Sequence, residues 1–360
     1  MGKTCCEQKR LAKMKNKKLL VISTDRLIFD EKSSVRSRQI EYAKDWKEVH
    51  IIIFALKENY NNQKISENCW IYSTESVSNI FFPFDAIKIG KKIIKENDIS
   101  EITCQDASLT AIAGLSLKKS FAIPLEVQIH GDISSPYFRQ GLINKLRFTL
   151  SKRYLPKADK IRVVSNRIKI FVEELINRKI KEESKRPKIE VRPIFVDKES
   201  IKNFPVIIDL KRKYKQFNYI VLMASRLEKE KNIELAIDAW PLVLKSFPNS
   251  GLLIVGEGGQ EEYLKNLVVS KHLVKSVIFE KWADKQTLYS YYKTADLFLN
   301  TSLFEGYGMT LVEAEAVNCK IVSTDVGVAS EVGAIISEHD KDDLAKKIMT
   351  VLSSIKSRFE

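Results

Sequence analysis

Two glutamates, Glu305 and Glu313, lie eight positions apart on either side of a turn that contains two glycines. The apolar run before this turn, residues 295–300, is typical of a strand, and residues 309–317 have helical periodicity. The first amides of such a helix have no partner within the helix, and they bind phosphate or another anion. Because carboxylates repel phosphate, the glutamates are expected to bind hydroxyl groups. The segment predicts a site for a polyhydroxylated ligand with a phosphate in its middle, as in a nucleotide sugar.

A third glutamate, Glu315, lies on the same predicted helix. It is about 200° around the axis from Glu313 at 3.6 residues per turn, so it is expected to face solvent. The alternative for this segment is a helix whose acidic residues simply favour the positive end of the helix dipole. That alternative accounts for one glutamate but not for the Gly-x-Gly sequence between Glu305 and Glu313.

A second charged segment, residues 224–232, directly follows the predicted strand 219–223. Arg226 and Lys231 leave the carboxyl end of that strand, which is where parallel α/β sheets bind their ligands. Their positive charges suit a diphosphate leaving group. Lys229 in the same run is expected to be solvated, and a solvated charge run is the alternative for the whole segment.

Short β-branched runs alternate with amphipathic stretches along the whole chain, which is typical of parallel sheets covered by helices. The rhythm stops once and then restarts. It predicts an α/β chain of two doubly wound domains, with the chemistry in the cleft between them. The predicted parts are a basic N-terminal domain (1–200), a linker (201–217) and a C-terminal donor-binding domain (218–360). The predicted strands are 19–23, 50–54, 102–104, 125–129 and 160–164, then 219–223, 252–255, 277–279, 297–299 and 320–323.

The charge of the chain is strongly asymmetric. Lys and Arg outnumber Asp and Glu by 39 to 25 in residues 1–200, whereas residues 201–360 have 21 of each. The basic half is expected to attract anionic lipid, nucleic acid or a phosphorylated substrate, and a solvated lysine-rich surface is the alternative. The longest stretch without a charged residue has eleven residues, whereas a membrane-spanning helix needs roughly 20.

The five cysteines form no CxxC pair and have no histidine at ligand spacing, which indicates neither a zinc site nor a disulfide framework. They favour a reducing compartment. Lipidation of Gly2, Cys5 or Cys6 competes with the simpler interpretation of an unmodified basic terminus. Asp340-Lys341-Asp342 matches the Asp-x-Asp sequence of metal-dependent transferases, but its acidic start and basic continuation favour the beginning of a helix. No metal site is predicted.

The motifs of the second half occur in a fixed order over about 110 residues. They resemble glycosyltransferase family 4, a group of GT-B enzymes whose signature is Glu-x7-Glu. The resemblance is strong over residues 219–330 and weaker before them, at residues 158–165 and 191–197. The motifs that carry it are Ser225-Arg226-Leu227 with Lys231-Asn232, Ile254–Gly258, Tyr291–Asp296, and Glu305–Gly308 with Glu313.

The resemblance implies the GT-B fold, with two doubly wound Rossmann-like domains facing a central cleft. It implies that Arg226 and Lys231 bind the donor diphosphate, that Glu313 binds the ribose hydroxyls, and that Glu305 holds the donor sugar near the reacting carbon. It also implies transfer with retention and without a metal, because two cations and a helix start stabilise the departing diphosphate. Backbone contacts to the donor are expected from Gly306, Tyr307, Gly308, Met309, Thr310 and Leu311.

In the first half, His130 follows a predicted strand, and members of the family often have a histidine there that faces the donor sugar. It is expected to position or polarise the acceptor or the sugar, and a structural histidine is the alternative. The family commonly has a Gly-Gly loop after the first strand, but this chain has residues 30–36 instead. Acceptor-side contacts are therefore expected more weakly, from Ser33, Ser34 and Asp132.

These observations predict a retaining glycosyltransferase that uses a UDP- or GDP-sugar as co-substrate and no other cofactor. Its acceptor would be a glycan, a lipid-linked sugar or a polysaccharide. The expected location is the cytoplasm, with peripheral binding of the basic domain to the inner face of a membrane through helices at residues 138–157 and 162–188. The alternatives are a nucleotide-sugar 2-epimerase of the same fold and a non-catalytic basic binding protein. Nucleic-acid binding is disfavoured because the basic residues form no recognisable binding motif.

Overall fold

The computed structural model describes residues 15–57 and 60–356. These residues divide into two compact units. The first unit extends to Arg192 apart from residues 134–138, which belong to the second unit together with the chain from Pro193 onward. The candidate lipidation sites lie outside the described residues: Gly2, Cys5 and Cys6.

Within residues 15–57 and 60–192, the first unit contains eight strands and five α-helices. The strands are β1 (Lys18–Ser23), β2 (Glu48–Ile53), β3 (Gln63–Ser66), β4 (Cys69–Ser73), β5 (Glu101–Cys104), β6 (Leu125–Ile129), β7 (Lys160–Val163) and β8 (Lys188–Val191). The helices are α1 (Ser34–Ala43), α2 (Phe82–Glu96), α3 (Leu109–Phe121), α4 (Leu142–Tyr154) and α5 (Asn166–Lys179). The strands form one sheet in the order β3-β4-β2-β1-β5-β6-β7-β8, parallel except for the hairpin of β3 and β4.

The second unit contains six strands and seven α-helices among the described residues. The strands are β9 (Tyr219–Ala224), β10 (Ser250–Val255), β11 (Val277–Glu280), β12 (Leu297–Asn300), β13 (Ile321–Thr324) and β14 (Ile335–Ser337). The helices are α6 (Lys198–Asn203), α7 (Leu210–Lys213), α8 (Ile233–Ser246), α9 (Glu261–Ser270), α10 (Lys285–Thr294), α11 (Met309–Ala316) and α12 (Lys341–Lys356). The strands form a parallel sheet in the order β11-β10-β9-β12-β13-β14.

Both faces of the second sheet are covered by helices, and the alternation of side chains along β9 shows this directly. Val221 packs in a cluster that contains Trp240 of α8, whereas the neighbouring Leu222 packs with Tyr291 of α10. Strands buried on both faces are the reason that these sequence runs are almost continuously apolar. The order of the strands reverses at β9 and β12, so loops from both lie where such sheets bind ligands.

The sequence predictions of two doubly wound domains and of their main strands are confirmed. The prediction missed the hairpin of β3 and β4, because β3 is mostly polar and not buried, and β4 is a short strand in which only alternate residues are buried. A helix over residues 162–188 was expected, but α5 is shorter because Val163 belongs to β7 and β8 begins at Lys188.

The transition between the units also differs from the predicted boundary. It lies between Arg192 and Pro193 rather than near residue 200. The segment expected to be a linker, 201–217, contains the end of α6 and all of α7. These short helices are capped by Asp197 and Asp209, whose carboxylates accept hydrogen bonds from backbone amides in the first helical turns.

Candidate active site

Loops from four strands of the second unit are joined by backbone hydrogen bonds at the carboxyl edge of its sheet. Leu227 N donates to Glu257 O at 2.9 Å, and Leu303 N donates to Glu230 O at 2.8 Å. A third bond, 2.9 Å long, joins Val328 N to Tyr307 O. The loops after β9, β10, β12 and β13 therefore form one connected surface.

Glycines allow these loops to approach each other closely. A Cβ atom on Gly256 would lie 1.9 Å from Ser225 O, and one on Gly258 would lie 2.5 Å from Leu227 O. Gly327 is similar, because its Cβ would lie 2.3 Å from Tyr307 O. The glycines of the Ile254–Gly258 motif thus serve the packing of loop against loop.

Lys231 and Glu305 form a salt bridge on this surface. Lys231 Nζ lies 2.5 Å from Glu305 Oε1, and both side chains are largely buried, with 15% and 17% of their surface exposed. The chain separation is 74 residues. The two groups that the sequence assigns to diphosphate and sugar binding are therefore brought into direct contact.

A network of buried hydroxyl and amide groups supports Glu305 from below. Ser302 Oγ lies 2.8 Å from Glu305 Oε1 and 2.7 Å from Asn300 Oδ1. Asn300 in turn donates to Ser323 Oγ at 3.1 Å, and Thr324 Oγ1 donates to Ser302 O at 2.7 Å. This network fixes the Glu305 carboxylate, and sequence reasoning did not find it. The signal available was the polar run Asn300–Ser302 directly after an apolar strand.

Arg226 lies on the exposed part of the same surface. Its guanidinium donates to Glu230 Oε1 at 2.8 Å, and 63% of its side chain is exposed. Lys229 is also exposed, as predicted. Arg226 therefore has one carboxylate partner and an open side from which an anion could approach.

The turn after Glu305 carries the predicted anion-binding amides. Gly308 has a φ of +90° and begins α11 without a capping side chain, so the first amides of this helix have no partner within it. Gly306, Tyr307, Met309 and Thr310 are all half-buried. This start of a helix is an open site for a negatively charged group.

Leu311 differs from its neighbours in this turn and from the prediction. Its side chain is fully buried in the apolar core, and its amide donates to Gly308 O at 3.1 Å. Its third position in the helix turns the side chain toward the sheet. The donor contact expected from Leu311 stays a prediction, with neither its side chain nor its amide open in this structure.

Glu313 lies in the second half of α11 and is 7% exposed. Tyr292 of α10 donates a hydrogen bond from its hydroxyl to Glu313 Oε2 at 3.1 Å. Burial raises the pKa of the Glu313 carboxyl, an effect that Tyr292 and the charge of Lys285 partly oppose. Sequence reasoning quoted Tyr292 only as part of a motif and missed that it orients Glu313.

Glu315 was expected to face solvent but is half-buried. Its carboxylate forms a salt bridge of 2.7 Å with Lys198 of α6. The prediction that Glu313 and Glu315 point in different directions agrees with these different partners. Glu315 therefore joins α11 to α6.

His130 follows β6 in the first unit, as predicted. Its Nε2 lies 3.0 Å from Gln128 Oε1. Since Gln128 Oε1 only accepts hydrogen bonds, His130 carries its proton on Nε2 and leaves Nδ1 as an acceptor. Solvent reaches part of the ring, but surrounding protein desolvates the imidazole, and Arg162 and Arg38 add positive charge. Together they lower the pKa of His130 to about 4.

The weaker acceptor-side predictions for Ser33 and Asp132 are not supported by their surroundings. Ser33 caps α1, because its Oγ accepts from Arg36 N at 3.1 Å and donates to Leu27 O at 2.5 Å. Its hydroxyl is therefore engaged within the protein. Asp132 is 3% exposed, which places its carboxylate away from solvent. Ser34 begins α1, and its side chain lies outside the described ones.

A cavity of about 560 Å³ opens in the first unit beside the end of β1. Stacked rings of Phe29 and Tyr60, with centroids 4.3 Å apart, form part of its wall. Asp25 and Asp30 add carboxylates to the same wall. Aromatic rings can pack against the apolar face of a sugar ring, and neighbouring carboxylates can accept hydrogen bonds from its hydroxyl groups.

Asp340 serves as the start of helix α12. Its Oδ1 accepts hydrogen bonds from the amides of Asp342 and Asp343, each at 2.9 Å. This confirms the helix-start interpretation of the Asp-x-Asp sequence. Within residues 15–57 and 60–356, no group of three or more His, Cys, Asp or Glu side chains could hold a metal ion.

Comparison with known proteins bears directly on the second unit. Residues 208–359 match the family model described as glycosyl transferases group 1. This part of the chain is therefore similar to the group 1 glycosyltransferases. The predicted family type is confirmed at this level, and the narrower assignment to family 4 stays a prediction.

Two relatives and one solved structure illustrate what this chain is similar to. Alpha-monoglucosyldiacylglycerol synthase of Acholeplasma laidlawii is 34% identical over 104 residues, which are 29% of this chain and 26% of the relative. An uncharacterized glycosyltransferase of Methanocaldococcus jannaschii is 24% identical over 281 residues, covering 75% of this chain and 66% of the relative. This chain thus spans between a quarter and about two thirds of these relatives.

The solved structure is an Anabaena protein in complex with UDP. It superimposes with a TM-score of 0.68 and 18% sequence identity, and the match covers 94% of this chain and 91% of the other. At this identity the likeness concerns the fold alone. The two-unit architecture of this chain is the GT-B fold, as predicted.

The protonation of His130 gives a first testable prediction. Because its pKa in the folded protein is about 4, the imidazole should stay neutral as the pH falls from 7.5 to about 5.5, whereas an unperturbed histidine titrates near 6.5. NMR titration of the ring C–H signals, assigned with His130→Asn, measures this. In urea-unfolded protein the same signals should titrate near the ordinary value.

The sign of the effect on stability follows from the same shift. Between the two pKa values the unfolded chain binds more protons than the folded one, so this histidine makes the protein less stable as the pH falls. A folded-state titration of His130 near pH 6.5 would contradict the desolvated environment described for its ring.

Proposed function

We propose that this protein is a retaining glycosyltransferase that transfers a sugar from a UDP- or GDP-sugar to a glycan, lipid-linked or polysaccharide acceptor without a metal ion. The observation that carries this proposal is the salt bridge between Lys231 and Glu305 beside the start of α11. The cation and the free amides would bind a phosphate, and the carboxylate would bind the hydroxyl groups of a sugar joined to that phosphate. UDP in the Anabaena structure supports a nucleotide-sugar donor.

Donor binding would rearrange the Lys231 salt bridge. A diphosphate would bring two negative charges to the start of α11, and Lys231 and the exposed Arg226 of the loop after β9 would bind them. Lys231 would then share its charge between the diphosphate and Glu305. The second oxygen of Glu305, Oε2, would accept hydrogen bonds from sugar hydroxyls, while Ser302 keeps the carboxylate in place through Oε1.

Glu313 is suited to bind the ribose. Its carboxylate is held by Tyr292 and has a second oxygen available for a hydroxyl donor. Burial of Glu313 strengthens hydrogen bonds to it because the surrounding dielectric is low. The two glutamates of the Glu-x7-Glu signature would thus contact sugars on opposite sides of the diphosphate.

In the proposed reaction, the bond between the anomeric carbon and the diphosphate oxygen breaks, and a bond from that carbon to an acceptor hydroxyl oxygen forms on the same face of the sugar. The acceptor proton leaves with the nucleoside diphosphate. Arg226, Lys231 and the amides of α11 stabilise the negative charge that develops on the leaving group. Nδ1 of His130 is a free acceptor in the described structure and would orient a hydroxyl group. The cavity beside Phe29 and Tyr60 would hold the ring of the acceptor.

The basic first unit would bring the enzyme to an anionic membrane surface. Helix α4 has Leu142, Ile143 and Leu146 exposed to 84%, 70% and 58%. Its sequence has four basic residues and no acidic one: Lys145, Arg147, Lys152 and Arg153. An exposed helix with apolar and basic side chains together suits the interface of an anionic bilayer. No described helix is both long and apolar enough to cross a membrane.

Donor binding can be tested by thermal shift with UDP, GDP and ADP in EDTA. A ligand that binds only the folded state must raise the melting temperature. The wild type and Lys229→Ala should both respond to UDP or GDP, and Arg226→Ala should respond much less. Lys229 is the matched control because it is an exposed cation of the same loop. Equal responses of all three proteins, or no response in any, would contradict the proposed donor site.

The role of Glu305 can be tested by turnover. The assay measures release of the nucleoside diphosphate from a panel of UDP- and GDP-sugars in EDTA. Glu305→Gln should lower kcat/KM by more than tenfold, which corresponds to about 1.4 kcal/mol of transition-state stabilisation. Glu315→Gln on α11 should keep wild-type turnover, since Glu315 pairs with Lys198. Near-normal turnover in Glu305→Gln removes this residue from the site. Activity that needs added Mn²⁺ contradicts metal independence, and conversion of the donor sugar without acceptor favours the epimerase.

Membrane binding can be tested by cosedimentation with vesicles. The protein should bind phosphatidylcholine vesicles that contain phosphatidylglycerol, bind less at high salt, and bind weakly to pure phosphatidylcholine. Replacing Leu142, Ile143 and Leu146 together by Ser should weaken binding by more than tenfold, because each buried side chain contributes about 1.5–3 kcal/mol. Ile170→Ser on α5, an exposed apolar residue of the same unit, should have no comparable effect. Binding that the triple variant retains would contradict the role of α4.

A further inference from the structure

An eight-residue stretch without a charged side chain, residues 77–84, leads from the end of β4 into the first turn of α2. Four of its apolar side chains are exposed: Val77 to 77%, Ile80 to 76%, Phe81 to 48% and Phe84 to 62%. Single exposed apolar residues are common on protein surfaces, but several together mark a surface that contacts another apolar partner. Residues 77–84 are called the apolar tip below.

The apolar tip is exposed although its base is firmly held. Ser76 N donates to Ala55 O at 3.0 Å, and Ser76 Oγ donates to Asp85 Oδ2 at 2.5 Å. Phe82 is the buried member of the tip, and its ring stacks on Phe54 with centroids 5.3 Å apart. The exposed side chains are therefore carried by a loop that is fixed to the first sheet.

Basic side chains continue from the apolar tip along α2. Four exposed lysines of this helix have no salt-bridge partner among the described residues: Lys88, Lys91, Lys92 and Lys95. Three of them lie four, seven and eleven positions after Phe84, which places them on the same side of the helix. The acidic residues of α2 are Asp85, which is bonded to Ser76, and Glu96 at the last position. The helix surface beyond the tip is therefore positively charged.

The apolar tip lies beside the cavity at the end of β1. Arg26 lines that cavity, and its guanidinium carbon lies 5.6 Å from the centre of the Phe82 ring. Arg26 Nε also donates to Phe54 O at 2.9 Å. Leu27, which lines the same cavity, is 61% exposed and marks its mouth. One arginine thus joins the wall of the cavity to the base of the tip.

The apolar tip and the exposed start of α4 lie at the same edge of the first sheet. Strands β4 and β6 run parallel, so the segments that lead from them into α2 and α4 both leave at the carboxyl edge. The helices also share a layer, because a Cβ atom on Gly90 of α2 would lie 2.6 Å from Leu117 Cδ1 of α3, and α3 contacts α4. Two exposed apolar groups, each followed by basic residues, therefore occur at one edge.

We propose that the apolar tip inserts into the interface of an anionic lipid bilayer and holds the mouth of the cavity against the bilayer surface. The exposed side chains of the tip would enter the acyl boundary, and the lysines of α2 would contact lipid phosphates. A bilayer matches this arrangement because its apolar interior lies directly below a layer of negative charge. The fixed base of the tip keeps the cavity at a constant height above that layer.

The position of the cavity selects the class of acceptor. A lipid whose hydroxyl-bearing head group lies in the bilayer surface would reach the cavity beside Arg26 without leaving the membrane. Among the acceptors of the proposed function, this favours a membrane lipid over a free glycan or a polysaccharide. The choice of acceptor rests on the proposed function, whereas insertion of the tip does not.

Insertion can be tested by cosedimentation with vesicles of phosphatidylcholine and phosphatidylglycerol. The double variant Ile80→Ser, Phe84→Ser should bind more than tenfold more weakly than the wild type, because its tip has lost two apolar side chains that enter the bilayer. The matched control is Val269→Ser, Val274→Ser, which changes two exposed apolar residues of the second unit and should leave binding unchanged. Both variants should melt near the wild-type temperature, since the changed side chains are exposed.

The lysines are tested by removing their charge. Binding at low salt should weaken, and its salt dependence should decrease, in the triple variant Lys88→Gln, Lys91→Gln, Lys95→Gln. A matched control removes the same charge from exposed lysines of the second unit and should bind like the wild type: Lys245→Gln, Lys275→Gln, Lys346→Gln.

The orientation of the cavity can be measured by tryptophan fluorescence. Ile80→Trp should be quenched by vesicles whose acyl chains carry bromine, beyond the quenching seen in the wild type. Leu27→Trp, at the mouth of the cavity, should become protected from aqueous acrylamide when vesicles bind. Val269→Trp in the second unit should show neither effect.

The acceptor class can be tested with labelled UDP- and GDP-sugars. The vesicles contain phosphatidylglycerol, dioleoylglycerol and glucosylceramide, which carry three kinds of hydroxyl-bearing head group. Label should enter chloroform-soluble lipid with the wild type, and more than tenfold more slowly with Ile80→Ser, Phe84→Ser, although this variant keeps its thermal shift with nucleotide. Transfer to maltohexaose in solution, independent of vesicles, would overturn the choice of a lipid acceptor.

The insertion proposal is overturned if Ile80→Ser, Phe84→Ser binds vesicles like the wild type, or if Leu27→Trp stays open to acrylamide on bound vesicles. Self-association that this variant loses, without any binding to vesicles, would assign the surface to a second copy of the chain. A wild type that binds vesicles through the tip but binds no nucleotide would contradict the proposed function and leave membrane insertion standing.

Discussion

The salt bridge between Lys231 and Glu305 connects two loops that leave adjacent strands of the second sheet. Its atoms are 2.5 Å apart, and both side chains are largely withdrawn from water. Breaking such a pair without replacing either partner leaves a charge poorly solvated, which is strongly unfavourable. Backbone bonds between Leu303 and Glu230 hold the same loops at a second point. A ligand that draws Lys231 away from Glu305 would have to supply a negative charge to the lysine and hydrogen-bond donors to the carboxylate, and a phosphate next to a hydroxyl would supply both.

The polar network below Glu305 explains how the carboxylate keeps its position while its partner changes. Ser302 and Asn300 are buried, and both have hydrogen-bond partners within the protein, with the single hydroxyl proton of Ser302 lying between Asn300 Oδ1 and Glu305 Oε1. Satisfied buried networks are rigid because every displacement loses a hydrogen bond in a low dielectric. Glu313 has a similar device in the hydroxyl of Tyr292. Both glutamates are thus fixed by neighbours that do not depend on a ligand.

Much of the fold follows from the sequence, because strands buried on both faces must be apolar and helices between them must be amphipathic. The sequence motifs were sufficient to select Arg226, Lys231, Glu305 and Glu313 as candidate site residues. The contact between Lys231 and Glu305 did not, because it joins residues 74 positions apart and depends on loop conformation. The predictions that the structure does not support concern groups that could serve equally well in local structure or in contact with a ligand. The Ser33 hydroxyl caps a helix, and Leu311 packs into the core, although both lie near strand ends where ligand contacts are common.

The cations of the candidate site are already paired with carboxylates before any ligand binds. Residues 201–360 have as many acidic as basic residues, and Lys231 and Arg226 both have carboxylate partners there. An anion that binds these two cations must compete with a carboxylate, so its affinity depends on the difference between two interactions. Such an arrangement favours a doubly charged ligand, such as a diphosphate, over a group with a single negative charge.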